Sequence, residues 1–415
     1  MTIETYTRAL CARANHAAPQ LAAARAETRR EAILRAAALL TERAEDVIAA
    51  NALDLAAAEQ SGMSRAMLDR LRLDCARIEG IAAAMRTLAD LADPTGSGEV
   101  WTRPNGLVLR RVRVPLGTVA VIYEARPNVT ADIAALCIKT GNAVVLRGGK
   151  EALETNKAIA ALLRRALQDT HLPPDAVSLM ERTEREGATA LMQMKGMIDV
   201  LIPRGGKGLI RAVVEGASVP VIETGAGNCH VYIDESADLE MALSVTENAK
   251  LSRPAVCNAA ETLLVHEAVA EAFLPAFARK TASRLTLRGC EGTRRILPGI
   301  EAASEEDYAT EYDDTVMAVR IVKDVHEAIA HINRYSTGHS EAILTRSLEN
   351  AACFTQKVDS ACVYVNASTR FSDGGEFGFG AEVGISTQKL HARGPMGPDA
   401  LTTVKYIIEG NGQIR

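Results

Sequence analysis

The sequence predicts an α/β protein with two successive regions of parallel sheet, the first preceded by a helical segment. Short apolar runs alternate with helical patterns between residues 118 and 222, and again between residues 259 and 365. Such alternation is typical of βαβ units, because a crossover helix connects parallel strands. Continuous apolar runs such as residues 144–146 also indicate strands that are buried on both faces.

The helical segment spans residues 1 to about 92. Residues 25–55 are rich in Ala, Leu, Glu and Arg, and their apolar side chains recur at helical spacing. Asp, Pro and Gly residues at 93–98 break this pattern. After a predicted turn at 104–106, residues 107–114 alternate imperfectly between apolar side chains and arginines, which predicts a half-exposed strand.

The two alternating regions are predicted element by element. In the first, the strands are 118–123, 143–146, 177–180, 198–202 and 219–222, and the helices are 129–139, 151–168, 184–194 and 208–215. In the second, the strands are 259–265, 316–322 and 361–365, the helices are 267–285 and 325–334, and a last strand spans 402–408. Residues 288–312 show no clear period, and the glycine-rich stretch 371–397 predicts a functional loop.

Composition and charge exclude several classes of protein. With 415 residues, 47% of them hydrophobic, the chain has the size of two or three globular domains. A formal net charge of −5 argues against binding nucleic acid or an anionic membrane through bulk charge. No apolar stretch is long enough to span a bilayer and the first 20 residues lack an apolar signal core, so we expect a cytoplasmic protein. The eight cysteines form no CxxC pair, so neither a zinc site nor a disulfide framework is indicated.

Two basic, glycine-containing turns are candidates for phosphate binding. The common fingerprints GxGxxG and GxxxxGK[ST] are absent from the sequence. Glycine lets a backbone approach a ligand, and a helix N-terminus favours anions. The candidates follow predicted strands and are Arg147, Gly148, Gly149 and Lys150 in one turn, and Gly205, Gly206 and Lys207 in the other. The alternative, two ordinary basic surface turns, stays open.

Cys257 is the candidate nucleophile. It lies in a polar, basic, proline-containing loop just before a predicted strand. Exposure and nearby cations lower the pKa of a thiol and make it reactive. The alternative is a buried structural cysteine, which we prefer for Cys137, Cys353 and Cys362. No histidine lies close to Cys257 in the loop, so a Cys–His pair is not indicated locally.

Three stretches carry a resemblance to a known family. They are Tyr-Glu-Ala-Arg-Pro-Asn-Val-Thr at 123–130, Tyr-Val-Asn-Ala-Ser-Thr-Arg at 364–370 and Gln-Lys-Leu-His-Ala-Arg-Gly-Pro-Met-Gly at 388–397. With them, the sequence resembles the aldehyde dehydrogenase superfamily over nearly its whole length, and within it the branch that reduces an acyl phosphate. The implied fold has a Rossmann-type cofactor domain (1–98 and 115–226), an α/β catalytic domain (227–397) and oligomerisation strands (99–114 and 398–415).

The resemblance also implies catalytic roles. Cys257 matches the family nucleophile, and Asn128 matches the side-chain amide that stabilises the oxyanion together with the Cys257 backbone N–H. Glu223 stands where oxidative members carry a general base, but a reductase has no hydrolytic step, so Glu223 either positions the nicotinamide or has no role. Glu311 matches a glutamate that binds the nicotinamide ribose, although Asp313 replaces the usual aromatic residue two positions later.

The implied activity is NADPH-dependent reduction of L-glutamyl 5-phosphate to L-glutamate 5-semialdehyde, through a cysteine thioester and with release of phosphate, in proline biosynthesis. No metal is required. The residues implied in cofactor binding are Arg147, Gly148, Lys150, Gly205, Gly206, Lys207 and Glu311. Lys150 stands where NAD-using relatives often carry a glutamate, and with Arg147 it suits a 2′-phosphate. A lysine that only points to solvent is the alternative.

Substrate and partners follow from the same resemblance. The substrate carries two anionic groups, so cationic ligands are required. The candidates are Arg126, Arg253, Arg370, His391 and Arg393. The strands at 107–114 and 402–408 imply at least a homodimer, and the labile acyl phosphate implies a separate kinase as a transient partner.

Three competing functions are weighed against this one. A cysteine hydrolase or acyltransferase would use Cys257 without a nicotinamide, but a histidine partner motif is missing from the sequence. A nucleotide-binding module without catalysis leaves the occurrence of both Asn128 and Cys257 unexplained. Within the superfamily, a relative that oxidises another aldehyde stays an alternative.

Overall fold

The structure is a computed structural model that describes residues 1–124 and 126–415. These residues form two compact units, Met1–Thr224 with Gly378–Gly384 and Met396–Arg415, and Gly225–Phe377 with Ile385–Pro395. Residues 378–384 and 396–397, which the sequence assigns to the catalytic domain, thus pack with the first unit. The reason is local: Gly380 lies against the backbone of Leu88, and Val383 N–H donates to the Met396 carbonyl at 3.0 Å.

The elements of each unit follow one another along the chain. The first unit contains α1 (Ile3–Ala23), α2 (Ala26–Glu42), α3 (Ala44–Gln60), α4 (Arg65–Leu71), α5 (Cys75–Asp90), β1 (Gly98–Thr102), β2 (Val108–Pro115), β3 (Thr118–Tyr123), α6 (Asn128–Thr140), β4 (Ala143–Arg147), α7 (Leu153–Asp169), β5 (Val177–Leu179), α8 (Arg185–Met192), β6 (Val200–Arg204) and α9 (Lys207–Gly216). The second contains β7 (Cys229–Ile233), α10 (Leu239–Leu251), β8 (Ala260–His266), α11 (Glu267–Thr281), β9 (Thr286–Gly289), α12 (Glu291–Ile296), β10 (Glu301–Ala302), α13 (Glu305–Tyr308), β11 (Val316–Val322), α14 (Val325–Tyr335), β12 (Ser340–Leu344), α15 (Leu348–Lys357), β13 (Cys362–Val365), β14 (Ile385–Ser386) and β15 (Gly394–Pro395). The last strand, β16 (Thr402–Glu409), returns to the first unit.

The N-terminal helices begin where their sequences provide caps. The side chains of Thr2, Ser64 and Asp74 accept a backbone N–H at the starts of α1, α4 and α5. Helix α7 has no side-chain cap of its own, and Asp54 of α3 supplies one by accepting from the N–H groups of Glu154 (3.2 Å) and Thr155 (2.8 Å). Asp54 therefore fixes the start of the helix that follows the first basic turn.

The first unit contains a parallel sheet with the order β5-β4-β3-β6. Its strands are buried along almost their whole length, as the apolar runs predict. The predicted strand at 219–222 is wrong, because only Val221 forms an isolated bridge, to Leu201. Pro220 lacks an N–H group, so the ladder cannot continue there.

The second unit contains a parallel sheet with the order β10-β9-β11-β8-β7-β12-β13. The sequence pattern does not predict β7 and β12, because both strands carry buried polar side chains. His230 and Glu341 are fully buried and pair across the two strands, with His230 Nδ1 3.0 Å from the carboxylate. Helix α11 ends at Thr281, short of the predicted 285, since Ala282 is extended and Ser283 has φ 64°.

A third, antiparallel sheet in the first unit has the order β1-β2-β16. Apolar side chains on it are exposed to solvent, including Val404 at 45%, Tyr406 at 53% and Ile408 at 59%. The ring of Trp101 on β1 packs edge-on against that of Tyr406, with centroids 6.3 Å apart. Within the described residues, we find no helix with the length and apolarity needed to cross a membrane.

Candidate active site

The loop that carries Cys257 lies at the amino ends of the parallel strands of the second unit. It connects α10 to β8, and the segments that precede β7, β11 and β12 meet it at the same edge of the sheet. Gly227 N–H donates to Glu311 Oε1 at 2.7 Å. Asn228 N–H donates to Thr337 Oγ1 at 3.0 Å. This edge therefore gathers polar groups from distant parts of the sequence around the loop of Cys257.

The backbone at Cys257 is held from two sides. The buried Cys229 thiol donates to the Cys257 carbonyl oxygen at 3.2 Å. On the other side, a Cβ atom added to Gly227 would overlap the Cys257 carbonyl group, so only glycine fits at 227. Cys257 itself is half-buried, which leaves its side chain accessible.

The other cysteines considered in the sequence are poorer nucleophiles. Burial raises the pKa of the Cys137, Cys229 and Cys362 thiols above the ordinary value, so these thiols are unreactive at neutral pH. Cys353, predicted to be a core residue, is half-buried and packs against the edge of a core cluster, and its Sγ lies 3.9 Å from His326 Nδ1.

Asn258, next to Cys257, joins the candidate site, although the sequence does not single it out. Its Nδ2 donates to the carbonyl oxygens of Arg370 (3.1 Å) and Ser372 (3.0 Å), and its own carbonyl accepts from the Thr369 hydroxyl at 2.7 Å. An isolated asparagine has no periodicity or charge that would mark it in a sequence. The predicted substrate ligand Arg370 is thereby tied to the loop of Cys257.

Glu311 contacts the same edge through Gly227 and lies near a buried ion pair. Lys250 and Glu261 are both fully buried and form this pair. Burial raises the pKa of Glu261 to about 8, Lys250 opposes that rise, and the negative charges of Glu311 and Asp313 add to it. The ribose-binding role of Glu311 stays a prediction.

The remaining cationic candidates have different surroundings. Arg253 and His391 are exposed, and His391 adopts a left-handed backbone with φ 68°. Arg393 donates to Asp359 Oδ1 at 2.9 Å and so forms an ordinary surface ion pair. Arg126 is exposed and belongs to the first unit.

The first basic turn of the first unit follows β4. Arg147 is half-buried, and its guanidinium donates to the carbonyl oxygens of Gly148 (3.2 Å) and Thr183 (3.0 Å). Burial lowers the pKa of Arg147. A Cβ on Gly148 would overlap the buried Asn156 amide, so the turn requires glycine. Lys150 is exposed and begins a single 3-10 turn before α7.

The second basic turn follows β6 and begins α9. Gly206 N–H donates to Glu124 Oε2 at 3.0 Å, and a Cβ on Gly205 would overlap that carboxylate. Lys207 is the first residue of α9 and is exposed. Since β4 and β6 flank β3 in a parallel sheet, both turns lie at the same carboxyl edge.

These two turns fit an anionic dinucleotide. At both turns, glycines leave space that a Cβ atom would occupy, and cationic side chains lie beside them. The second turn also leads into the N-terminus of α9, and both turns lie at one edge of the sheet. A metal is a different matter: in residues 1–124 and 126–415, no group of three or more His, Cys, Asp or Glu side chains could hold an ion.

Asn128 and Glu223 both belong to the first unit, whereas Cys257 belongs to the second. Asn128 begins α6, and its Nδ2 donates to Asp132 Oδ2, one turn later, at 2.9 Å. Burial raises the pKa of Asp132 to about 6, while the Asn128 amide and Arg204 oppose that rise. The carboxylate of Asp132 therefore orients the amide that the sequence assigns to the oxyanion.

Glu223 is half-buried just before Thr224, whose hydroxyl donates to the Pro203 carbonyl at 2.7 Å.

Comparison with known proteins decides the family. Residues 3–310 and 307–389 match the Aldehyde dehydrogenase family. The chain belongs to the aldehyde dehydrogenase family. Gamma-glutamyl phosphate reductase of Moorella thermoacetica is 57% identical to this aldehyde dehydrogenase over 405 residues, which is 97% of each chain. The enzyme of that name from Carboxydothermus hydrogenoformans is 55% identical over 408 residues, 98% of each chain.

Solved structures agree with this assignment. The crystal structure of gamma-glutamyl phosphate reductase from Thermotoga maritima matches with a TM-score of 0.96 and 46% identity, over 99% of each chain. An acetylating aldehyde dehydrogenase from Geobacillus thermoglucosidasius has a TM-score of 0.72 at 18% identity and so shares the fold. The predicted fold class and family are confirmed, and this aldehyde dehydrogenase is an oxidoreductase of a family that uses nicotinamide cofactors.

The raised pKa of Asp132 predicts a pH-dependent effect of Asp132→Asn. Between the usual Asp pKa near 3.8 and about 6, the unfolded chain loses its proton while the folded chain keeps it, so wild-type stability falls as pH rises. The difference in free energy of unfolding between Asp132→Asn and wild type should therefore rise in favour of the variant by about 1–2 kcal/mol from pH 4 to pH 7.5. This is less than the full pKa shift implies, because Asp132 is partly exposed and solvent screens its charge. Urea unfolding at the two pH values measures this. Asp46→Asn, an exposed control, should show no such gain, and a pH-independent difference for Asp132→Asn would contradict the assignment.

Proposed function

We propose that this aldehyde dehydrogenase reduces L-glutamyl 5-phosphate to L-glutamate 5-semialdehyde and inorganic phosphate with NADPH, as a step of proline biosynthesis. The observation that carries the proposal is the 57% identity, over 97% of each chain, to an enzyme named gamma-glutamyl phosphate reductase. The chemistry of the loop also supports the proposal, because the Cys257 thiol is half-buried, its backbone carbonyl is hydrogen-bonded, and arginine charges act near it.

Cys257 is the residue that makes and breaks covalent bonds in this proposal. Its thiolate attacks the acyl carbon, the carbon–oxygen bond to phosphate breaks, and phosphate leaves with the electron pair, which gives a thioester. The Cys257 backbone N–H and the Asn128 amide stabilise the oxyanion that forms on the way. When bound, the nicotinamide supplies the hydride that reduces the acyl group. The thiolate is then released from the hemithioacetal, and the aldehyde forms.

A general base for water has no place in this sequence of steps. The acyl phosphate brings its own leaving group, and attack of water on the thioester would waste the substrate. We therefore assign Glu223 to positioning the nicotinamide rather than to proton abstraction. We keep Arg126, Arg253, Arg370 and His391 as candidate ligands of the substrate anions, whereas the ion pair of Arg393 with Asp359 makes Arg393 the weakest candidate.

The two basic turns of the first unit support a preference for NADPH. Lys150 is exposed and able to reach a 2′-phosphate, and the half-buried Arg147 guanidinium adds positive charge at the same turn. A glutamate at 150 would instead accept hydrogen bonds from the ribose hydroxyls of NADH.

We also propose that the enzyme is at least a homodimer. Val404, Tyr406 and Ile408 alternate along the edge strand β16, so their exposed side chains share one face. Exposed apolar edge strands pair with other chains, and a second copy would bury this face and continue the sheet.

The reverse reaction tests the proposed activity without the labile acyl phosphate. Glutamate 5-semialdehyde, NADP⁺ and inorganic phosphate should yield NADPH with wild-type enzyme, and Cys257→Ala should lose at least 1,000-fold in rate because no thioester can form. Cys353→Ala, a half-buried cysteine away from the loop, is the matched control and should keep wild-type activity. Activity that does not depend on phosphate would show hydrolytic deacylation and return Glu223 to the role of base. A folded wild type that is inactive with both cofactors would favour a cysteine hydrolase.

Exchange of one charge tests the cofactor preference. Lys150→Glu should weaken NADP⁺ binding at least tenfold, as expected for a lost phosphate contact, and leave NAD⁺ binding equal or tighter. Titration calorimetry with both cofactors measures this directly. Lys157→Glu, which changes a partly exposed lysine on α7, should alter neither constant. Equal affinities of the wild type for the two cofactors would refute the preference.

The oligomer is tested by charging the exposed face of β16. Wild-type mass by light scattering should be at least twice the 44.3 kDa of one chain. The double variant Tyr406→Glu with Ile408→Glu should shift the measured mass toward the 44.3 kDa of one chain, because dimer formation would bury two carboxylates in each copy of the pairing surface. Lys405→Glu changes the opposite face of the same strand and should keep the wild-type mass. A monomeric wild type would disprove this part of the proposal.

A further inference from the structure

The guanidinium of Arg370 acts electrostatically on the Cys257 thiol. Its Nε donates to Ser252 Oγ at 3.2 Å, an uncharged partner, so its positive charge is not cancelled there. Burial lowers the pKa of Arg370 and the charge of Arg253 lowers it further, whereas negative charge at Cys257 and, to a smaller extent, at Asp373 raises it. Any displacement of Arg370 therefore changes the field at the nucleophile.

The position of Arg370 depends on Asn258. Arg370 lies in a single 3-10 turn, Thr369–Phe371, which has little stability of its own. Asn258 donates to the carbonyl oxygens of Arg370 and Ser372, and the Thr369 hydroxyl donates back to the Asn258 carbonyl. Asn258 is only 4% exposed, so water cannot replace these bonds if they are lost.

The turn is also fixed on its far side. The Ser372 hydroxyl lies 2.5 Å from Ser340 Oγ and 2.6 Å from Tyr364 Oη, which belong to β12 and β13. Ser340 Oγ in turn lies 2.8 Å from His339 Nδ1. The sheet therefore holds one end of the turn, and Asn258 joins the turn to the nucleophile loop.

We propose that Asn258 is a positioning residue: its two donated hydrogen bonds hold the Arg370 guanidinium where it stabilises the Cys257 thiolate and the phosphate that leaves. The effect on phosphate rests on the proposed function, whereas the effect on the thiolate does not. Asn258 takes no part in the bond-making steps of the proposed reaction, because it acts only through Arg370.

Alkylation of Cys257 measures the position of the cation without substrate or cofactor. Iodoacetate is an anion and iodoacetamide is neutral, so the ratio of their rates reports positive charge at the thiol and is independent of the thiolate fraction. Peptide mass spectrometry resolves Cys257 from the other cysteines. Asn258→Ser and Arg370→Gln should each lower the ratio about threefold to tenfold, as expected for a unit charge several ångströms away in a wet site. The double variant should lower it no further than Arg370→Gln.

Controls separate positioning from damage to the fold. Asn366→Ser removes a similar pair of amide hydrogen bonds, to Thr345, in the same unit and should keep the wild-type ratio. Asn258→Asp places a carboxylate against two carbonyl oxygens, and its ratio should recover toward wild type as pH falls, because the protonated acid regains one donor. If Asn258→Ser does not fold by circular dichroism, Thr369→Val tests the same link. An unchanged ratio in the folded variants, or effects that multiply in the double variant, would overturn the proposal.

The two proposals fail in distinguishable ways. In the reverse assay, Asn258→Ser should raise the KM for phosphate more than it lowers kcat, since it displaces the cation and leaves the thiol in place. If Asn258→Ser lowers the ratio but the wild-type enzyme has no phosphate-dependent activity, the proposed function is refuted and the positioning role stays intact. A ratio that does not change refutes the positioning role whatever the activity.

Discussion

Gly227 packs directly against the peptide of Cys257, and the geometry of the second unit's site depends on this approach. Because 227 has no Cβ, the segment before β7 comes close enough for the Cys229 thiol to bind the Cys257 carbonyl. The same close approach aims Gly227 N–H at Glu311. The missing side chain at 227 thus sets the relation between Cys257, the buried Cys229 thiol and the Glu311 carboxylate, which lies 84 residues after Gly227 in the chain.

The two units use opposite edges of their parallel sheets. In the first, the basic turns follow β4 and β6 and so lie at the carboxyl ends, where helix N-termini favour anions. In the second, the nucleophile precedes β8 and lies at the amino ends, where helix C-termini and loops meet. A rule that places ligands only at carboxyl ends would therefore miss the thiol, whose polar, basic loop marks it in the sequence.

Much of the architecture is predictable from apolar patterns. The bounds of β3 and β11 match the prediction, because their side chains are nearly all apolar, with β3 fully buried and β11 mostly so. The pattern fails for β7 and β12, because both strands bury polar side chains. These side chains hydrogen-bond to each other across the strands, as His230 does to Glu341. It also fails at 219–222, where Pro220 stops the ladder. Cys257 is recognisable from its surroundings in sequence, but the role of Asn258 depends on carbonyl groups more than 100 residues away, which no local pattern contains.

The link between Asn258 and residues 369–372 has a consequence for synthesis of the chain. A ribosome that has made β8 has already placed Cys257 in the nascent polypeptide, but the turn that carries Arg370 has not yet been translated. The Cys257 loop can contact Gly227 and Cys229 at that stage, but it lacks its contacts to residues 369–372 until that turn has been made. Because this contact spans more than 100 residues, the proposed arrangement of Arg370 around Cys257 can form only after residues 369–372 have been translated.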